Sequence, residues 1–276
     1  MPAATNTSLQ LTNTCFLRPK HPSNCNSSLF TASFAIRSDN PPSDKPITTW
    51  FRFKLPEDIL LDESLFHALH LTREEWTQVC YGRIKESPQD CVLLVDWYRT
   101  RSWLEFSQSD SHAELLSSLG SYSDIPVVSE IIGFASYHPT IAMSSHTKLI
   151  RVYFPASISP ETRKAVWEKV RHLGHSVAYG KKVEHRNPYK AGPCLGWIEG
   201  DVKREGQDAV ACVWVHKWKS QEAEEKCKTT ARYPHMKYGE FIKPLILDLF
   251  QQGLRDLGAL GWEECHLNFE TKCYIA

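Results

Sequence analysis

The sequence predicts an α+β protein built from two split βαβ units, and three observations carry that prediction. Cys91–Phe106 (CVLLVDWYRTRSWLEF) reads as an apolar strand with a Trp near its end, a basic turn and the start of a helix. Ala209–Lys226 (AVACVWVHKWKSQEAEEK) repeats that pattern in the second half of the chain. Strand-like and helix-like segments alternate through both halves, as split βαβ units require. Each unit alone would leave one sheet face bare. Packing the two faces together would close the core. At 276 residues the chain is long enough for one large domain or two small ones.

Taken in order, residues 1–46 are rich in Ser, Thr, Asn and Pro and read as a flexible or irregular lead-in. The first half spans 47–146. Trp50, Phe51 and Phe53 need a core to pack in. Pro56, Glu57 and Asp58 suggest a helical turn, and Thr72 with Glu75 suggests a capping box for a helix to about Cys80. Tyr81 to Asp90 is turn-like. Cys91–Trp97 reads as a strand buried on both faces. Arg101–Leu119 reads as one helix ended by Gly120, and Val127–Phe134 as a strand. The second half spans 147–276. Leu149–Phe154 is a strand. Ser159 and Pro160 suit N-cap and first helical position, opening a helix to about His172. Ser176–Tyr179 suggests a short strand, Lys181–Lys190 a basic loop and Leu195–Ile198 a short apolar stretch. Ala209–Trp218 is a strand, Ser220–Lys228 and Phe241–Leu257 are helices, and Trp262–Tyr274 closes the chain as a strand.

Composition narrows the function classes. Thirty-two basic residues balance thirty-two acidic ones, which argues against a nucleic-acid partner. The nine cysteines are widely spaced, with no CxxC. They read as free thiols in a reducing, cytoplasmic setting. The sequence does not open on a basic segment followed by a long apolar run and contains no run of about 18 apolar residues, so neither a secretory leader nor a membrane partner is expected. The sequence lacks HExxH, GxGxxG, GxxxxGK and GxSxG, so metal, dinucleotide, nucleotide-phosphate and serine-hydrolase chemistry have no motif support.

Several of these pieces resemble the dimeric alpha–beta barrel superfamily, in particular the antibiotic-biosynthesis-monooxygenase-like and stress-responsive barrel proteins of fungi, in tandem form. They are Tyr81-Gly82-Arg83, Val92–Trp97, the helix containing His112, and Tyr122, followed by Gly196–Ile198, Val210–Trp218, the helix start Ser220-Gln221-Glu222-Ala223, and Tyr233. The resemblance covers about residues 75–276. It implies two ferredoxin-like halves packed as a pseudo-dimeric α/β barrel. It leaves the opening strand of the first half in Leu9–Leu17 or Thr49–Phe53. It further implies a small hydrophobic or phenolic ligand between sheet and helices and no cofactor. The chemistry would be acid/base-assisted cyclisation, isomerisation or oxygenation in secondary metabolism. A homodimer is compatible with it, and the alternative is a non-catalytic barrel that binds a ligand or a protein.

Three residues head the catalytic candidates. His216 lies near the end of a buried strand, where alternation sets Cys212, Trp214, His216 and Trp218 on one face and Val213, Val215 and Lys217 on the other. A histidine between two Trp side chains suits an aromatic-walled pocket or an ordinary core. His175, with Tyr179 or His185, could position an enol or phenol, or simply meet a helix C-terminus. Asp96 could be a buried acid of raised pKa, or the partner of Arg99 or Arg101. Trp97, Tyr98, Tyr179, Trp214, Trp218 and Tyr233 are the expected substrate-binding residues. No metal ligand is expected.

Overall fold

The chain is described by a computed structural model over residues 44–134, 146–168, 189–230, 235–237, 240–242 and 245–273. It opens with β1 (Ile47–Lys54), short helical turns between 63 and 75, and the hairpin of β2 (Trp76–Ile84) and β3 (Ser87–Trp97). Helices α1 (Thr100–Ser107) and α2 (Asp110–Gly120) lead to β4 (Val128–Phe134). Then come β5 (Thr147–Pro155), α3 (described over 160–168), β6 (Tyr189–Glu199), β7 (Val202–Arg204), β8 (Gln207–Trp218) and α4 (Gln221–Thr230). A small ribbon of β9 (His235–Lys237) and β10 (Glu240–Ile242) precedes α5 (Ile246–Asp256), β11 (Gly261–Leu267) and β12 (Glu270–Cys273).

Eight strands close into an antiparallel barrel in the order β11-β5-β8-β6-β4-β1-β3-β2, with β2 pairing back to β11. Closure removes the exposed sheet edges that two open sheets would carry. The first four strands lie in the order β4-β1-β3-β2, and β11, β5, β8 and β6 repeat that order. The two joins are unequal. β4 meets β6 over four residue pairs, from Ile131↔Glu199 to Phe134↔Gly196. β11 meets β2 at Leu267↔Ile84 alone, supplemented by Lys85 N–H donating to the His266 carbonyl at 2.8 Å.

Period-two alternation gives every strand two different faces. Trp50, Val92, Leu94, Leu149, Val213 and Val215 fill the barrel interior. On the outside, Phe51, Leu93, Trp97, Trp103, Phe106 and Leu115 form a second core, where α1 and α2 cover β1 and β3. Ile150, Phe154, Cys212, Trp214, Phe250 and Leu254 form the third, under α3 and α5. Each large side chain so buried contributes roughly 1.5–3 kcal/mol from removal of apolar surface. Among the described residues no helix is long and apolar enough to cross a membrane, and Cys80, Cys91, Cys194, Cys212, Cys227 and Cys265 are buried and outside any disulfide.

Several local expectations are corrected. The helix expected from Thr72 to Cys80 is a 3-10 turn, Arg73–Glu75, followed by strand β2. Thr72 does not cap it; its hydroxyl donates back to the Leu69 carbonyl. Trp, Val, Tyr and Thr in 76–84 favour a pleated surface buried on both sides, and that outweighs the capping signature. The single helix over 101–119 is two helices, because Ser109 starts a new one and its Oγ accepts from His112 N. β6 begins well before Leu195 and passes Gly192-Pro193 with register shifts between Tyr189 and Cys194, as a proline inside a strand requires. The helix expected from Phe241 starts at Ile246, and the closing strand is split into β11 and β12. β1 occupies the second of the two places considered for the opening strand. Residues 1–43 and the expected strand at 176–179 lie outside the described residues.

Candidate functional site

β8 carries His216 on its outer face, in the layer between the barrel and the helices. Trp214 and Trp218 flank it on the same face, and their rings lie 5.7 and 5.6 Å from the imidazole, Trp218 stacked at 12°. Phe250 from α5 closes one side at 6.0 Å, edge to face. Tyr189, at the start of β6, sets its hydroxyl 3.1 Å from His216 Nδ1. The other nitrogen, Nε2, is buried and has no hydrogen-bond partner among the described residues, and neither does the nearby Trp214 Nε1. Buried polar atoms in folded proteins are almost always paired, which makes these two atoms of one aromatic layer the candidates for contact with a further polar group.

Burial drives the His216 pKa down to about 3; Lys148 adds to this and Glu224 opposes it. The ring is therefore neutral at ordinary pH. Tyr189 is held well above its usual value, mainly by burial and then by Cys227 and Glu224. The ring is thus held between donor and acceptor roles by a neutral phenol.

A polar row continues from His216 across the same outer face. Lys148 of β5 is the register partner of His216 on one side and of His266 in β11 on the other. Glu224 reaches down from α4 into this row and is 1% exposed along its side chain. Its carboxylate lies 2.6 Å from His146 Nε2, 3.0 Å from His266 Nε2 and 2.9 Å from Lys228 Nζ. Glu86, in the β2–β3 turn, takes the other ring nitrogen of His266 and accepts from its backbone N–H at 3.0 Å. Although burial opposes it, the pairing with Glu224 and Glu86 pushes His266 up to about 9. Glu224 is correspondingly held far below the usual carboxylate range by His266, Lys228 and Lys148, against its own desolvation.

Asp96 sits elsewhere. It faces the barrel interior from β3, fully buried, and accepts from Thr48 Oγ1 at 2.6 Å. Burial raises it to about 7, with the Thr48 hydrogen bond and Lys217 opposing. Lys217 points inward because it neighbours His216 in sequence and a strand alternates. His216 and Asp96 therefore face different compartments, one outside the barrel wall and one within it. Neither Arg99 nor Arg101 is the partner considered for Asp96: they pair with Asp44 and Glu105.

Trp97 is packed against Trp103 and Phe106, with Nε1 donating to Thr49 Oγ1 at 2.9 Å. Tyr98, the next residue, is exposed beside an open polar cleft of about 440 Å³ lined by Glu74, Glu75, Arg99, Arg101, Ser102 and Glu105. Trp214 and Trp218 lie at His216. His175, Tyr179, His185 and Tyr233 lie outside the described residues. Tyr189, His146, Glu224 and His266 are the functional candidates that sequence reasoning passed over. His266 sits on the polar face of an alternating stretch, and Tyr189 ends a basic tract that reads as a loop. Their meeting depends on the order of strands, which no local pattern reveals.

No protein-family model and no curated protein sequence matches the chain. Solved structures do. An anthrone oxidase-like protein superposes with a TM-score of 0.50 at 13% identity, over 84% of this chain and 94% of the other. A monooxygenase candidate from Lactobacillus acidophilus NCFM superposes with a TM-score of 0.49 at 9% identity, over 83% and 97% of the two chains. At such identities the likeness is one of fold.

Proposed function

We propose that this protein is a small-molecule enzyme of the oxygenase type that acts on a hydrophobic, phenolic metabolite, with His216 moving the proton. The observation that carries this reading is the neutral, buried His216, anchored to Tyr189 through one nitrogen and presenting to an aromatic layer a second nitrogen that has no partner among the described residues. In the active tautomer Nδ1–H donates to the Tyr189 hydroxyl, and Nε2 accepts from the phenol of the substrate. Trp214, Trp218 and Phe250 supply ring faces for a flat aromatic skeleton. An imidazole of such low proton affinity is a weak base by itself. The phenolate formed beside it stabilises the imidazolium electrostatically, so proton transfer is coupled to the presence of substrate. The deprotonated substrate then supplies the electrons that reduce dioxygen, and no organic cofactor is required of the protein. The same proton transfer serves cyclisation or isomerisation if dioxygen does not enter.

The repeated strand order supports reading the barrel as two ferredoxin-like halves joined in one chain, and the buried free thiols support a reducing, cytoplasmic setting. The test uses a hydroxylated anthrone as the aromatic probe, followed by dioxygen uptake and by quenching of Trp fluorescence. Wild-type protein binds the probe and consumes dioxygen. His216→Gln binds it and turns over about 100-fold or more slowly, the usual scale of a lost proton-transfer group. Equal turnover by a folded His216→Gln protein would overturn the assignment. Probe binding without dioxygen uptake in the wild type would favour the cyclase or isomerase form, tested next by proton exchange into the probe.

A further inference from the structure

We infer that His146, Glu224 and His266 form a binding site for one divalent transition-metal ion of the zinc class, placed at the weak join of the barrel. Their ligand atoms all lie within 4.8 Å of one another. His146 Nε2 is 2.6 Å and His266 Nε2 3.0 Å from the same carboxylate oxygen. A tetrahedral ion with bonds of about 2.0–2.2 Å needs donor atoms roughly 3.3 Å apart, so small side-chain shifts suffice to admit one. Two imidazoles and a carboxylate are a donor set suited to zinc and its neighbours.

The support around these donors is also that of a metal site. Glu86 grips His266 at Nδ1 and at its backbone N–H. That leaves Nε2 aimed at Glu224, the arrangement in which an outer carboxylate fixes a ligating histidine. The His146 and His266 rings stack at 24° with centroids 5.3 Å apart, so both are held in one orientation. The three donors come from separate parts of the chain: the residue before β5, helix α4 and strand β11. The ion would lie beside the β11–β2 join, whose register pairing is Leu267↔Ile84 alone, and Glu86 would link it through His266 to the β2–β3 turn.

Lysines share the neighbourhood. Lys85 Nζ lies 2.9 Å from His146 Nδ1, Lys228 Nζ 2.9 Å and Lys148 Nζ 3.7 Å from Glu224, and Lys148 also pairs with Glu264 at 2.5 Å. An incoming ion displaces Lys85 and Lys228, whose long side chains reach solvent, while Lys148 keeps Glu264. Glu86 and Glu264 retain negative charge on the rim. The site shares the outer face with His216 but rests on its own geometry, independent of the reaction proposed there.

The experiment uses the full, untagged chain stripped with chelator and titrated with Co²⁺ and then Zn²⁺. Expected are one equivalent of cobalt with the visible absorption of a tetrahedral centre, its displacement by zinc, and a rise in melting temperature with either ion. Glu86→Gln, which keeps all three donors, weakens zinc by about 10- to 100-fold. His266→Gln weakens it further, and His216→Gln leaves it unchanged. Absence of uptake by the stripped wild type would overturn the inference and make the cluster an ion-pair network. So would uptake that persists unaltered in both Glu86→Gln and His266→Gln.

Discussion

Asp96 gives the most direct test of how the barrel interior is built. Its carboxyl is fully buried, and its pKa is raised to about 7, with desolvation the leading cause. In the unfolded chain the same group titrates near 3.9. The folded state therefore holds the proton more tightly, so this group's contribution is most favourable at low pH. It is lost progressively as pH rises from about 4 to about 7. Linkage over that window makes the contribution about 2 to 3 kcal/mol less favourable at pH 8 than at pH 5. Asp96→Asn keeps the shape and can still accept from Thr48, but it cannot ionise. Urea unfolding of both proteins from pH 5 to pH 8 isolates the effect, because the other titrating groups cancel in the difference. The stability of Asp96→Asn relative to wild type should climb by about 2 to 3 kcal/mol across that range. A flat difference would refute the assignment of a desolvated carboxyl and would mean that Lys217 fully compensates the charge.

Two further outcomes follow from the packing. A methyl group at Gly196 would stand 2.5 Å from Ile132 Cγ2 and 2.8 Å from Phe134 Cδ1. Gly196→Ala should therefore cost about 1–3 kcal/mol, read as a lower melting temperature with unchanged far-UV circular dichroism. Also in the interior, Glu130 accepts two bonds from Arg151, at 3.0 and 2.6 Å, and pairs with Arg52 at 3.4 Å. Glu130→Ala removes the carboxylate that both guanidiniums share and should cost about 3–5 kcal/mol in denaturant unfolding.

Much of this architecture was legible because the strongest signals are local. Val92–Trp97 and Val210–Trp218 are unbroken apolar runs, and both are central strands. Ser159 announces a helix start, and its Oγ indeed accepts from Thr162 N at 3.1 Å. Alternation alone separated His216 from Lys217, which the structure sets outside and inside the barrel wall. What stayed hidden depends on position in space. The β2 strand is masked by a capping-box pattern at Thr72 and Glu75, and β6 by Gly192-Pro193 at its bulge. His146, Glu224 and His266 are unremarkable residues in sequence; only the return of β11 beside β5 and β2 gathers them. Asp96 and His216 both lie near the end of a long strand. The alternation that turns His216 outward also turns Lys217 inward toward Asp96, so the two candidates cannot share a pocket.

The arrangement of the first four strands has a consequence for how the chain is made. β1 to β4 find all their mutual partners within one contiguous stretch, in the order β4-β1-β3-β2. Helices α1 and α2, which cover the outer face, belong to that stretch as well. The inner face, with Trp50, Val92, Leu94 and Ile132, has no cover until β5 to β11 arrive. At roughly 5–20 residues per second, translation leaves that face waiting on the order of ten seconds. If the four strands pair during that interval, the sheet they form has one apolar face uncovered. Asp96 and Arg52 set an acid and a cation on that same face, so it is not uniformly apolar before the barrel shuts.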